Sequence, residues 1–219
     1  MKSAVRKIDR ALKSLNQLET PQSAENYLLK QMPGNSSSES SQDFHGALLV
    51  RSAGKMSVSL GIYFTPKVSE TLTQLESWNP NAWSHDEVKA VTVATEEISH
   101  FHYLLANASI GRPISQLELE LQGEIDKFML LFFTLASTEE NIDSHFVALF
   151  EMLFQHFHLR ETLSADEKER YQAANNIAKS FVIKCRKYLE DKDYDSALKI
   201  LRQFYRMNTS EKLSLTLRK

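Results

Sequence analysis

Ser84 to Asn107, SHDEVKAVTVATEEISHFHYLLAN, is the stretch on which the reading of the fold depends. Ser84 with Glu87 three residues on forms a capping box: the serine hydroxyl accepts from the glutamate's amide, and the glutamate side chain answers the serine's own amide. No proline or glycine follows until Gly111-Arg112-Pro113, so one helix is predicted from Ser84 to about Asn107. At about 100° per residue, Ala90, Ala94, Phe101, Leu104 and Ala108 fall within about 60° of Glu97, and His100 lies about 60° to the other side. A carboxylate thus stands in the stripe expected to face the core, where a charge is costly unless it is paired, protonated or bound to metal.

The same periodicity continues on both sides of this helix. After it, Ser115 to Ala136 is strongly apolar, with Met129 to Phe133 uninterrupted, and is predicted to be a central helix buried on most sides. Leu117 to Leu121 also alternates with period two, which leaves a strand open as the alternative. Ser137 with Glu140 and Ser164 with Glu167 are further capping boxes, the second opening a helix from Ala165 to Leu189 with a stripe of Tyr171, Ala174, Ala178, Phe181, Cys185 and Tyr188. A helical region from Tyr194 to Met207 and a frayed amphipathic tail complete the C-terminal side.

Before Ser84, Pro66 to Trp78 reads as a helix followed by the loop Asn79 to Trp83. Gly46 to Ser52 and Lys55 to Phe64 have strand character around a turn at Ala53-Gly54, and an isolated hairpin is marginal in water, so it should pack on the helices. Residues 1–33 read as a pair of helices, the second opened by Thr20-Pro21 and ending near Met32. Residues 34–43 are a flexible Ser-rich loop, and 44–219 hold the hairpin and the main helical domain. The fold class expected is mainly α: a bundle-like domain of about six to eight helices with one β-hairpin packed against it.

Composition narrows the setting. A single cysteine, Cys185, excludes an internal disulfide and thiolate metal clusters, which fits a reducing, cytoplasmic compartment. No segment has the apolar length of a membrane span, and Met1 to Leu18 lacks the apolar run of a secretory leader. The formal net charge of -2 conceals +3 over residues 1–33, -9 over 84–161 and +5 over 162–219, blocks that are expected to attract one another.

Six of the seven histidines fall between His85 and His158. Glu97-x-x-His100 places two ligands one helical turn apart, the arrangement used in carboxylate-bridged di-iron bundles, and Glu124 and Asp143 on the next two helices are the candidate third and fourth ligands. Iron or manganese is the metal such donors suit. A di-metal bundle supplies two such elements, whereas this chain has one, because His158 to Glu161 runs in reverse order. Other readings of Glu97 are a hydrogen bond to His100 or a tyrosine, a pair with Arg112, a place at a groove edge, or acid-base chemistry. His102 points away from Glu97's face and reads as a surface or interfacial histidine.

Glycine-rich phosphate loops and nucleophile elbows are absent from the sequence. The leading functional expectation is therefore a non-enzymatic helical binding or regulatory protein with a protein partner, which would meet Trp78 and Trp83 or the basic face of Lys199, Arg202 and Arg206. A carboxylate and histidine metal-binding protein or metal-dependent oxidoreductase is the first alternative. Nucleic-acid association through the basic C-terminal helices is the second, weighed against a near-neutral charge balance.

Overall fold

In a computed structural model of the chain, residues 1–33, 45–54, 57–137, 142–155 and 163–217 are described. Their order is α1 (Lys2–Asn16), β1 (Gly46–Gly54), β2 (Ser57–Phe64), α2 (Pro66–Gln74), α3 (His85–Ser109), α4 (Gln116–Ala136), α5 (Ile142–Phe150), α6 (Ala165–Glu190), α7 (Tyr194–Arg206) and α8 (Thr209–Leu217). The protein is mainly α, with one antiparallel hairpin packed against its helices, as the periodicity predicts.

Three serines start the three longest helices. Ser84, Ser115 and Ser164 each form a complete capping box with Glu87, Glu118 and Glu167. The box at Ser115 settles the period-two ambiguity: Leu117 to Leu121 is the first part of α4, and the carboxylates that alternate with leucine there lie on a helix. Ser137 instead ends α4, and its predicted box partner Glu140 lies outside the described residues, as does the 34–43 loop.

α4 is the central element. Every residue from 120 to 132 is buried, and α1, α3, α5 and α6 pack around it. α6 contributes Ala174, Ala178, Phe181 and Cys185 from the predicted stripe, with Tyr171 and Tyr188 half-buried at its edges. The hairpin pairs Leu48 with Ile62 and Val50 with Leu60, burying Ile62 and Phe64 while Val50 and Val58 remain exposed towards its tip. Ala53 and Gly54 belong to β1, with a bulge between Ser52 and Gly54, instead of forming the turn.

Two expectations fail for the same reason, tertiary contact overriding local pattern. The predicted second N-terminal helix is a single 3-10 turn, Ala24–Tyr27. The amide of Ala24 donates to Asp9, and the following residues are drawn out beside the hairpin, where Leu29 N donates to the Ile62 carbonyl at 2.8 Å. The predicted frayed tail is the ordered helix α8, anchored by a fully buried Lys212. No described helix is long and apolar enough to cross a membrane.

Candidate metal centre

A central helix buried over thirteen consecutive positions should be apolar, yet α4 carries Glu120, Glu124, Asp126 and Lys127 within that stretch. Each needs a partner from another element or another turn. Asp126 finds neutral donors: Asn16 Nδ2 at 3.0 Å, Gln122 Nε2 at 3.0 Å and the Ser99 hydroxyl at 2.6 Å. Glu120, Glu124 and Lys127 face the other charged turn of the structure, Glu96 to His100 on α3.

Gly123 sets the approach of these two helices. A Cβ there would stand 3.1 Å from His100 Nε2 and 3.2 Å from Glu96 Cγ, so the bare backbone of α4 is what lets the imidazole lie against it. Nε2 then stands 3.7 Å from Glu120 Oε2, while Nδ1 is 3.5 Å from Glu97 Oε2. On the far side of Glu97, Gly46 lets β1 lie on its stem, since a Cβ at that position would come within 2.7 Å of Glu97 Cγ. The imidazole is thus held between two carboxylates, one on each ring nitrogen.

Lys127 completes the cluster. Its ammonium donates to Glu96 Oε2 at 2.9 Å and to Glu124 Oε1 at 2.8 Å. Arg170 from α6 reaches Glu120 Oε1 at 3.8 Å. Ligand atoms of Glu96, His100 and Glu120 all lie within 4.8 Å of one another. Among the described residues this is the one such trio of metal-binding side chains.

The surrounding carboxylates favour the cationic form of His100. Burial alone would lower the His100 pKa, but contact with Glu97 and the charges of Glu97, Glu96 and Glu120 outweigh it and raise the value to about 9. Burial pushes the Glu120 carboxyl up to about 7, with His100 and Arg170 pulling it down and Glu96 and Glu97 adding to the rise. Burial opposes the Lys127 ammonium too, yet Glu124 and Glu96 hold its pKa above the ordinary lysine value. Despite this field, His100 Nε2 and Glu120 Oε2 are buried without a hydrogen-bond partner.

Of the predicted ligands, the structure brings Glu97 and His100 together and places Glu124 in the same cluster, held there by Lys127. Asp143 lies at the start of α5, and its side chain is outside the described residues. Arg112 does not reach Glu97: it pairs with Glu118 and donates to Asn107 Oδ1 at 2.9 Å. His102 does point away from Glu97, but it is buried, not superficial, with Nε2 2.9 Å from Asp9 Oδ1. Glu96, Glu120, Lys127 and Arg170 were not singled out from the sequence. The available signal was the pair Glu120 and Glu124 one turn apart on an otherwise apolar helix, with a glycine between them.

The proposed partner surfaces are largely used within the chain. Trp83 Nε1 donates to the Ser77 carbonyl at 2.8 Å, and the Trp78 ring, half-buried, packs edge-on against Trp83. Arg202 donates to the carbonyls of Leu15 and Ser14, and Arg206 to those of Asn16 and Gln17, so both cap the C-terminus of α1. Lys199 is exposed. An open groove of about 1020 Å³, lined by Leu18, Pro21, Leu105, Ile110 and Tyr205 among others, shares no residue with the charged cluster.

Comparisons with protein-family models, curated proteins and solved structures returned no match.

Proposed function

We propose that the chain is a metal-binding helical protein whose ion is held by His100 Nε2, Glu120 and Glu96. The observation that carries this reading is the buried Nε2 of His100, which has no hydrogen-bond partner and faces Glu120 at 3.7 Å. An imidazole with carboxylates is a donor set suited to manganese, ferrous iron or zinc. Glu97 is a positioning residue in this arrangement, since a carboxylate on Nδ1 fixes the ring and strengthens Nε2 as a donor. Glu96, with its side chain 22% exposed, gives the ion a path from solvent.

Binding requires His100 to release its proton, so a divalent ion replaces one positive charge with two in the same field of carboxylates. Arg170, at 3.8 Å from Glu120, is a loose neighbour that can yield. An ion thereby becomes the ligand of the binding or regulatory protein suggested by the sequence, and the lone buried Cys185 fits a reducing compartment for it.

The experiment is elemental analysis of untagged protein, stripped with chelator and reloaded separately with manganese, ferrous iron and zinc. The expected result is about one ion per chain for at least one metal, lost in His100→Ala and Glu120→Gln and kept in the exposed control Glu169→Gln. Metal far below one equivalent in the wild type with all three ions overturns the proposal.

A further inference from the structure

The ammonium of Lys127 is clamped by two carboxylates inside a helix pair, and one of those carboxylates also belongs to the candidate ion site. Its Nζ lies 2.9 Å from Glu96 Oε2 and 2.8 Å from Glu124 Oε1, and the lysine is 8% exposed. Glu96 is a member of the trio with His100 and Glu120. The order through the cluster is therefore imidazole and carboxylate, shared carboxylate, ammonium, second carboxylate.

That order is the charge pattern of a carboxylate-bridged pair of cations, with a side chain in one of the two places. Four glutamates, Glu96, Glu97, Glu120 and Glu124, converge on one imidazole, one ammonium and the guanidinium of Arg170. Two bound divalent ions would balance those carboxylates by themselves. With Lys127 and Arg170 present, a single ion suffices, and a second would meet a fixed positive charge at hydrogen-bonding distance from its own ligands.

We propose that Lys127 is a resident cation that restricts this centre to one metal ion, its ammonium occupying the place of a second ion bridged to the first through Glu96. The inference rests on the metal-binding reading above and adds the nuclearity of the site. Glu124 is then a ligand of the lysine, not of the ion. Removing the ammonium should expose Glu124 and one side of Glu96 as a second, all-oxygen position for a hard ion such as manganese(II).

The test uses the full chain, untagged and metal-stripped, titrated with manganese(II) alone and counted by equilibrium dialysis. Wild type is expected to bind one ion and Lys127→Gln two, with the paramagnetic resonance of the doubly loaded variant showing a spin-coupled pair in place of the isolated-ion signal. Glu124→Gln, which keeps Lys127 paired to Glu96, is expected to bind one ion with affinity within about threefold of wild type. It keeps the inference testable where Lys127→Gln does not fold. Two ions in wild type, one ion in folded Lys127→Gln, or loss of the ion in Glu124→Gln each overturn the inference while leaving metal binding intact. No ion in either wild type or Lys127→Gln overturns metal binding itself, and the inference with it.

Discussion

Lys212 on α8 donates from Nζ to the Tyr103 hydroxyl on α3 at 2.9 Å, inside a site where the lysine has no solvent exposure at all. The Nζ also stands 4.6 Å from the Tyr103 ring and 5.0 Å from that of Phe204. Burial lowers the pKa of this group from 10.5 to about 7; Arg112 acts in the same direction, and the negative charges of Glu118 and Asp126 oppose it.

The neutral amine is therefore the form that the folded state prefers, and stability gained at this position rises with pH between 7 and 10.5. Lys212→Met removes a group whose charged form costs about 3 to 5 kcal/mol at low pH. The variant should melt above the wild type at pH 6, and the gap should close by about pH 10. Thermal unfolding of the two proteins across that range measures the difference directly, cancelling groups remote from Lys212 that titrate at high pH. A gap independent of pH would rule out the neutral amine.

Asp9 has the opposite sign. Burial would raise its pKa, but His102, the Ala24 amide and Lys13 together hold it at about 2, below the ordinary 3.8. Its contribution is fully present above about pH 4 and is lost as the pH falls through 2. Asp9→Asn is expected to cost about 2 kcal/mol near pH 7 and to flatten acid unfolding between pH 4 and 2. Urea titrations at pH 7, 4 and 2.5 check both; an unchanged acid limb would place the acid sensitivity elsewhere.

Gly123 tests the geometry of the cluster without touching a charge. With a methyl group 3.1 Å from His100 Nε2, the imidazole must shift by a few tenths of an ångström. Gly123→Ala should weaken manganese binding at least tenfold. Its melting temperature should change little, because alanine gains up to about 1 kcal/mol over glycine in a helix interior. A large loss of stability with unchanged metal affinity would show that the close approach serves packing alone.

The basic face of α7 makes a further distinction. Arg202 gives two hydrogen bonds to the last carbonyls of α1, so Arg202→Ala should cost about 1 to 2 kcal/mol in urea unfolding. Lys199→Ala, on the exposed side, should stay within about 0.5 kcal/mol. Equal effects would mean that the two cations play similar, superficial roles.

Local chemistry made the helices legible. The predicted serine caps at 84 and 164 mark real helix starts because their signal lies within four residues. What escaped depends on distant partners: Leu29 leaves helical geometry for Ile62, and Lys212 can be buried only because Tyr103 and Phe204 wait for it. The site divides in the same way. Glu97 and His100 are neighbours on one helix, so their spacing shows them together. Whether Glu120 or Glu124 meets His100 depends on how α4 is seated at Gly123, and Lys127, one turn beyond Glu124, draws that carboxylate to itself. Helical periodicity contains neither fact.

The caps supplied to α1 by α7 also bear on synthesis. The carbonyls of Ser14 to Gln17 are met by arginines 187 to 190 residues later in the chain. At about 5 to 20 residues per second, α1 leaves the ribosome roughly 10 to 40 seconds before its caps are made. Its apolar face, with Val5, Ile8 and Leu12, waits first for α2, α3 and α4, and α7 closes it last. Slowing elongation lengthens the time for which the end of α1 goes without those caps.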